Sequence, residues 1–298
     1  MTTSPDTSVD PRPVASTVFE DDFSSGLVDG TRWRTLTGPD GPVDDGVATT
    51  SANGVAVSPP GVNPATGQPA FTRDVGGPMA HLKWMVTTVD AFSAEGGELR
   101  VTFRAGTTRF GMAAQPYGPA VADHGDDLRL GAATLNVLDF ETGMVFDFWL
   151  TETAAYPYYE RIRTGPTSDY QAFGQLVRIP RTRGAVQEFS IAVDVAANTV
   201  RWYVDAAEVA SVRSIGAPDP AWMTAMDHGG TPRAATPRQF QVGLGLLTLL
   251  DAVCPPSDVG LVDLGAGYVI PASFAGSGPT LFGQGVQLDI EHVLVERQ

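Results

Sequence analysis

The sequence predicts an all-β protein built as a two-layer sandwich, and three observations carry that reading. Stretches of alternating apolar and polar residues recur at short intervals, as strands half buried against a core require. Glycine (33) and proline (23) are abundant, yet hydrophobic residues make up 43% of the 298, the balance of many short strands joined by tight turns. Asp219-Pro-Ala-Trp-Met-Thr-Ala-Met226 is the one convincing helix signal, with Asp219 as N-cap and Pro220 at the first helical position, so one short helix is expected near 219–226.

Taken in order, residues 1–14 are polar and lack the apolar centre of a leader peptide, and they read as a flexible tail. Residues 15–298 show no repeat or composition break and read as a single domain. Val18–Phe23 opens the fold as a strand, with Trp33 soon after. Residues 37–68 read as loops with brief strands such as Gly54–Ser58. The pattern alternates again over 80–90 and over Glu98–Arg104, after the turn signal Glu95-Gly-Gly-Glu98. The central stretch is Gly143–Glu152 with its hairpin partner Tyr158–Ile162. Met144, Phe146, Phe148 and Leu150 share an apolar face that packs between sheets, and Val145, Asp147, Trp149 and Thr151 share the other. Glu188–Val195, Thr199–Val204, Val209–Val212, Gln239–Leu250 and Gly285–Val295 complete the strands. His292 falls on the Val286, Leu288, Ile290 face and reads as a core histidine.

A net charge of −15 argues against nucleic acid and against anionic membrane surfaces, because both need clustered cations. No stretch approaches the roughly 20 apolar residues that span a bilayer. Cys254 is the one cysteine, so no intramolecular disulfide forms, and a cytoplasmic location is expected. The loop 113–131 holds Tyr117 and places His124 beside Asp123, Asp126 and Asp127, but their spacing fits no calcium loop, and the four histidines lack zinc-ligand spacing. No metal or cofactor is expected. The expected partner is a small-molecule ligand, and the oligomeric state stays open.

Three groups are candidates for catalysis. Asp147 sits beside Trp149 on the mixed face of the central strand. Glu160, in Tyr158-Tyr-Glu-Arg161, is expected near Asp147 or Arg161 and forms either an acid/base pair or a structural ion pair. His228, in Asp227-His-Gly-Gly230, has a carboxylate neighbour and suits general-base work near neutral pH. Trp149, Tyr159, Arg161, Tyr203 and Asp227 are candidate ligand contacts. Gly243 and Gly245 share a strand face and clear a groove for close approach.

The order of three stretches resembles the concanavalin-A-like lectin and glucanase superfamily: Phe19-Glu-Asp-Asp-Phe23 with Trp33, then Asn198–Val209, then Val286–Val295. Tyr159-Glu-Arg161, Asp227–Pro232 and Leu281–Gly285 resemble an uncharacterised actinobacterial group within it. The resemblance implies a jelly roll of two curved antiparallel sheets whose concave face binds ligand. In that superfamily the laminarinase-type hydrolases carry Glu-x-Asp-x-x-Glu on a central strand. Placing Asp147 at the middle puts Val145 and Leu150 at the glutamates, with Glu152 two residues too late, so retaining hydrolysis by that mechanism is not expected. The expectation is therefore an enzyme that uses the cleft for non-hydrolytic cyclisation or isomerisation of a largely apolar metabolite. A carbohydrate-binding or carbohydrate-active protein is the alternative, and a non-catalytic interaction protein the next.

Overall fold

The computed structural model describes residues 15–27, 30–38, 41–72, 81–114, 121–165, 167–249 and 283–298. Tyr117, Cys254 and Leu281 lie outside them. Two antiparallel sheets dominate. The eight-stranded sheet orders Ala207–Arg213, Thr199–Val204, Gln187–Asp194, Leu99–Phe110, Gly285–Arg297, Gly54–Ser58 and Val47–Ser51, with Ser16–Asp21 also paired to Gly285–Arg297. The ten-stranded sheet runs Trp33–Thr35, Leu82–Thr88, Gln239–Leu247, Ala132–Asp139, Met144–Leu150, Ala154–Arg161, Phe173–Leu176 and Met223–Asp227. Two short strands, Phe92–Ser93 and Ile179–Pro180, pair at its margins.

The side-chain alternation of the central strand decides the packing. Met144, Phe146, Phe148 and Leu150 are fully buried between the sheets. Phe148 meets Phe189 of the opposite sheet at 5.1 Å between ring centres, and Phe146 meets the edge of Trp202 at 6.1 Å. Trp202 also donates its indole N–H to the backbone carbonyl of Asp147 across the core at 2.9 Å. Trp202→Phe is expected to cost roughly 2 kcal/mol, from the lost hydrogen bond and the smaller ring together. Urea denaturation checks this, and an unchanged midpoint would mean that the inter-sheet bond contributes nothing.

The opening stretch locks onto itself through one carboxylate. Asp21 accepts from the backbone N–H of Phe23, from Trp33 Nε1 at 2.8 Å and from Arg32 Nε at 3.0 Å. This explains why Phe23 and Trp33, ten residues apart, enter the core together.

Two local expectations are corrected. Residues 219–226 do not form a helix. Asp219 caps a single turn, its carboxylate accepting from Ala221 N–H and its carbonyl from Trp222 N–H. The chain then becomes the edge strand Met223–Asp227, because Phe173–Leu176 offers a free ladder edge and Ala225 and Met226 bury side chains there. His292 is not in the core. The pairing shifts between Arg104↔His292 and Ala105↔Ile290, leaving Glu291 as an extra residue. That bulge reverses the alternation, so Val293 and Val295 face inward while His292 meets Glu20 at 3.0 Å on the outside.

Candidate functional site

The ten-stranded sheet has a second face, turned away from the core between the sheets. Two apolar clusters cover much of it. One contains Trp149, Tyr156, Tyr158, Leu176, Met226 and Leu247; the other contains Val43, Met85, Leu138 and Val145. A strip of polar side chains runs between them. Cross-strand register builds the strip: Asn136 lies opposite Asp147, Asp147 opposite Tyr158, and Glu160 opposite Val145. Asp147 and Glu160 are thus diagonal neighbours on adjacent strands, a relation that sets Cα atoms about 7–8 Å apart.

Three ionisable groups here are buried, and two of them carry an atom with no partner. Asp147 is 4% exposed; its Oδ2 accepts from Trp149 Nε1 at 3.3 Å, and its Oδ1 has no partner. Tyr158 is fully buried, and its hydroxyl has no partner. Its ring stacks on Trp149 at 4.2 Å, and its hydroxyl occupies the space above Gly174, where a Cβ would lie 2.2 Å from it. Glu160 is 9% exposed. Burial alone pushes its carboxyl up to about 8. Burial, and then the charge of Glu160, hold Asp147 well above the usual carboxylate range, and the Trp149 hydrogen bond offsets part of this. Burial and the two carboxylates push the Tyr158 hydroxyl up as well. Buried polar groups are nearly always paired, so the partnerless Asp147 Oδ1 and Tyr158 hydroxyl on one strip single it out as the candidate site.

The remaining predicted residues separate from this strip. His228 is exposed beyond the end of the edge strand; its N–H binds the Ala172 carbonyl, and its own carbonyl accepts from Arg163 at 3.0 Å. Two strand spacings separate it from Glu160 and three from Asp147, which with the offset along the ladder puts it about 12 Å from the first and about 20 Å from the second. The expected convergence of Asp147, Glu160 and His228 therefore reduces to the first two. Asp227 caps Gly229 and accepts from Gln171.

Tyr159 and Arg161 point the opposite way from Glu160, into the sandwich. The Tyr159 hydroxyl accepts from Gly216 N–H at 2.7 Å and donates to the Ala217 carbonyl at 3.0 Å. Arg161 holds the carbonyls of Gly216 and Arg233 and lies 3.8 Å above the Tyr170 ring. Both residues fasten loops, and the alternative pairing of Glu160 with Arg161 is absent. Tyr203 belongs to the eight-stranded sheet, under the guanidinium of Arg100. Gly243 and Gly245 do clear space, but neighbours fill it: a Cβ at Gly243 would meet Met85 and Asn136 at 3.0 and 3.2 Å, and one at Gly245 would meet Thr134 at 2.5 Å. Tyr158, Asn136 and Gly174 join the candidate site without having been singled out. The alternation of the hairpin already put Tyr158 on the face of Glu160, whereas the places of Asn136 and Gly174 depend on cross-strand register.

Two nearby acids of the 121–127 loop serve structure. Asp127 pairs with Arg129, while Asp126 accepts from the Tyr156 hydroxyl at 2.7 Å and from Arg178 at 2.6 Å.

The fold is that of the concanavalin-like jelly rolls. The catalytic domain of an endo-1,3-beta-glucanase (laminarinase) from Thermotoga petrophila superposes with a TM-score of 0.52 at 13% identity, covering 96% of this chain and 98% of that one. The laminarinase catalytic domain from Thermotoga maritima gives 0.52 at 12% identity, over 95% and 98%. In sequence, uncharacterized protein L829 of Acanthamoeba polyphaga mimivirus is 25% identical over 300 residues, covering 79% of this chain. The chain spans 65% of the length of that relative. Residues 20–298 match a family described as "Family of unknown function (DUF6081)".

Proposed function

The chain belongs to the DUF6081 family, and from that premise we propose that it is a carbohydrate-active protein whose outer sheet face performs acid–base chemistry through Asp147 and Glu160. The observation that carries this reading is the pair itself: two buried carboxyl groups on adjacent strands, flanked by the Trp149–Tyr158 stack, with acceptor and donor capacity that the protein leaves unused. An aromatic surface beside hydrogen-bonding acids suits a sugar, which offers apolar C–H faces and hydroxyl edges. Laminarinase catalytic domains share the fold, which supports the same substrate class here.

The pair divides the work by its two acidities. Glu160, raised to about 8 by burial, acts as the base. Asp147, held well above the usual carboxylate range by burial and by the charge of Glu160, acts as the acid. This arrangement differs from the Glu-x-Asp-x-x-Glu strand. The second acid comes from the neighbouring strand, opposite Val145, so the missing glutamate at 145 does not remove the possibility of two-acid chemistry.

Incubation with laminarin, other β-glucans and short oligosaccharides, followed by reducing-end and product analysis, tests the reading. Asp147→Asn is expected to abolish turnover at least a hundredfold, the usual scale of a proton-transfer contribution, while leaving the fold intact. Turnover is expected to rise from pH 6 toward pH 8 as Glu160 loses its proton. An Asp147→Asn enzyme of normal activity would overturn the assignment.

One observation favours a second reading, the cyclisation or isomerisation of a largely apolar metabolite. The strip is enclosed by apolar clusters and barely reaches solvent, conditions that suit a protonated acid acting on a hydrocarbon skeleton. Thermal stabilisation by apolar polycyclic compounds with none by sugars would select it.

A further inference from the structure

An open cavity lies away from the acid strip, where strand Leu99–Phe110 ends and the turn after the central strand begins. Its volume is about 370 Å³, and it is lined by Arg109, Met112, Asp123, His124, Glu152 and Arg183, among others. Arg109 and Met112 form its buried side, while Asp123 and Arg183 stand at the exposed rim.

Arg109 is unusual. The residue is 5% exposed, yet its guanidinium is only partly satisfied. Nη2 donates to the Asp127 carbonyl at 2.7 Å and approaches Met112 Sδ at 3.5 Å, whereas Nε and Nη1 have no acceptor. Leaving a buried charged donor unpaired costs more than a typical hydrogen bond contributes, and arginine matches oxyanions in shape as well as charge. Across the cavity, Arg183 pairs with Glu152 at 2.7 Å, and its side chain is 67% exposed. Such an exposed pair contributes little and exchanges partners readily. Gly125 permits the arrangement: a Cβ there would meet Arg183 Nη2 at 2.9 Å and Asp123 Oδ1 at 3.2 Å.

We infer that this cavity binds a small polar ligand that presents an oxyanion to Arg109 and draws Arg183 over it, its remaining polar groups facing Asp123 and Glu152. The mixed signs at the rim favour a ligand with a cationic or hydroxylated tail over a bare anion. The site is independent of the acid strip and stands whichever chemistry that strip performs.

Calorimetric titration of the full chain with acetate, inorganic phosphate and glycine, at constant ionic strength and with chloride as the blank, tests the inference. Saturable binding of at least one probe is expected, weakened at least tenfold by Arg109→Met and by Arg183→Gln. Arg109 also holds the Asp127 carbonyl, so Arg109→Met risks misfolding. Arg183→Gln alters an exposed side chain and keeps the test decisive by itself. Failure of all three probes to saturate overturns the inference, as does binding that Arg183→Gln leaves unchanged.

Discussion

Replacing Glu160 by glutamine is expected to make the protein more stable above pH 8 and to reduce the fall of its stability between pH 5 and pH 8. The carboxyl has an ordinary value of 4.5 and is raised to about 8 by burial in the folded protein. Between those limits the unfolded chain has released the proton and the folded protein still holds it. The folded state therefore binds more protons, and stability drops as pH rises through this window, then levels off above about 8. At about 1.4 kcal/mol per pH unit the loss is bounded at roughly 5 kcal/mol. A glutamine of the same shape carries no such linkage, so the variant and the parent should agree near pH 4 and diverge up to about pH 8, where the difference levels off. Asp147, raised in the same direction, keeps part of the slope, and the double variant with Asp147→Asn should lose that part as well. Urea denaturation at pH 5, 7 and 9 reads this directly. A parent protein equally stable at all three would show that Glu160 is well solvated, and the acid pair would lose its physical basis.

Gly174→Ala is expected to destabilise the fold by about 2–3 kcal/mol and to abolish ligand binding at the strip. The added Cβ would stand 2.2 Å from the Tyr158 hydroxyl and 3.0 Å from the ring carbon bearing it. A tyrosine ring cannot bend away. It must rotate, which breaks the 4.2 Å stack with Trp149 and shifts the surface that flanks both acids. Overpacking of this kind typically costs 1–3 kcal/mol. Tyr158→Phe alone removes an unpaired buried hydroxyl and should be neutral or stabilising. In the double variant most of the clash is gone, so the cost of Gly174→Ala should shrink by at least half. Strictly additive effects in that cycle would mean that Gly174 matters for some reason other than Tyr158.

The sequence made the strand periods legible, and with them the two faces of Met144–Leu150 and the shared face of Tyr158 and Glu160, because side-chain alternation is a local property. What stayed hidden was long-range. Nothing in residues 143–162 reveals that Glu160 stands opposite Val145, since that depends on the register set by the turn between the strands. The two glycines at 243 and 245 looked like a cleared groove because sequence shows the missing side chains and not the Met85, Asn136 and Thr134 atoms that occupy the space. Asp219-Pro220 carried a real capping signal, and the unpaired edge of Phe173–Leu176 overrode it within one turn. The extra residue at Glu291 reversed a clear alternation, and a single-residue bulge leaves no local mark in composition.

The middle of the eight-stranded sheet is occupied by residues 285–297, seated between Leu99–Phe110 and Gly54–Ser58 and also paired with Ser16–Asp21. Synthesis runs from residue 16 toward residue 297, so this sheet cannot be assembled in the order in which the ribosome delivers it. The 174 residues from 111 to 284 must emerge after Leu99–Phe110 before its central neighbour arrives. Until then that strand keeps one bare edge, and Ser16–Asp21 has no partner in the sheet. Long-range pairing of this kind slows folding and prolongs the exposure of strand edges. The nascent chain therefore carries unpaired strand edges until its last strand is made, and slow synthesis lengthens that exposure.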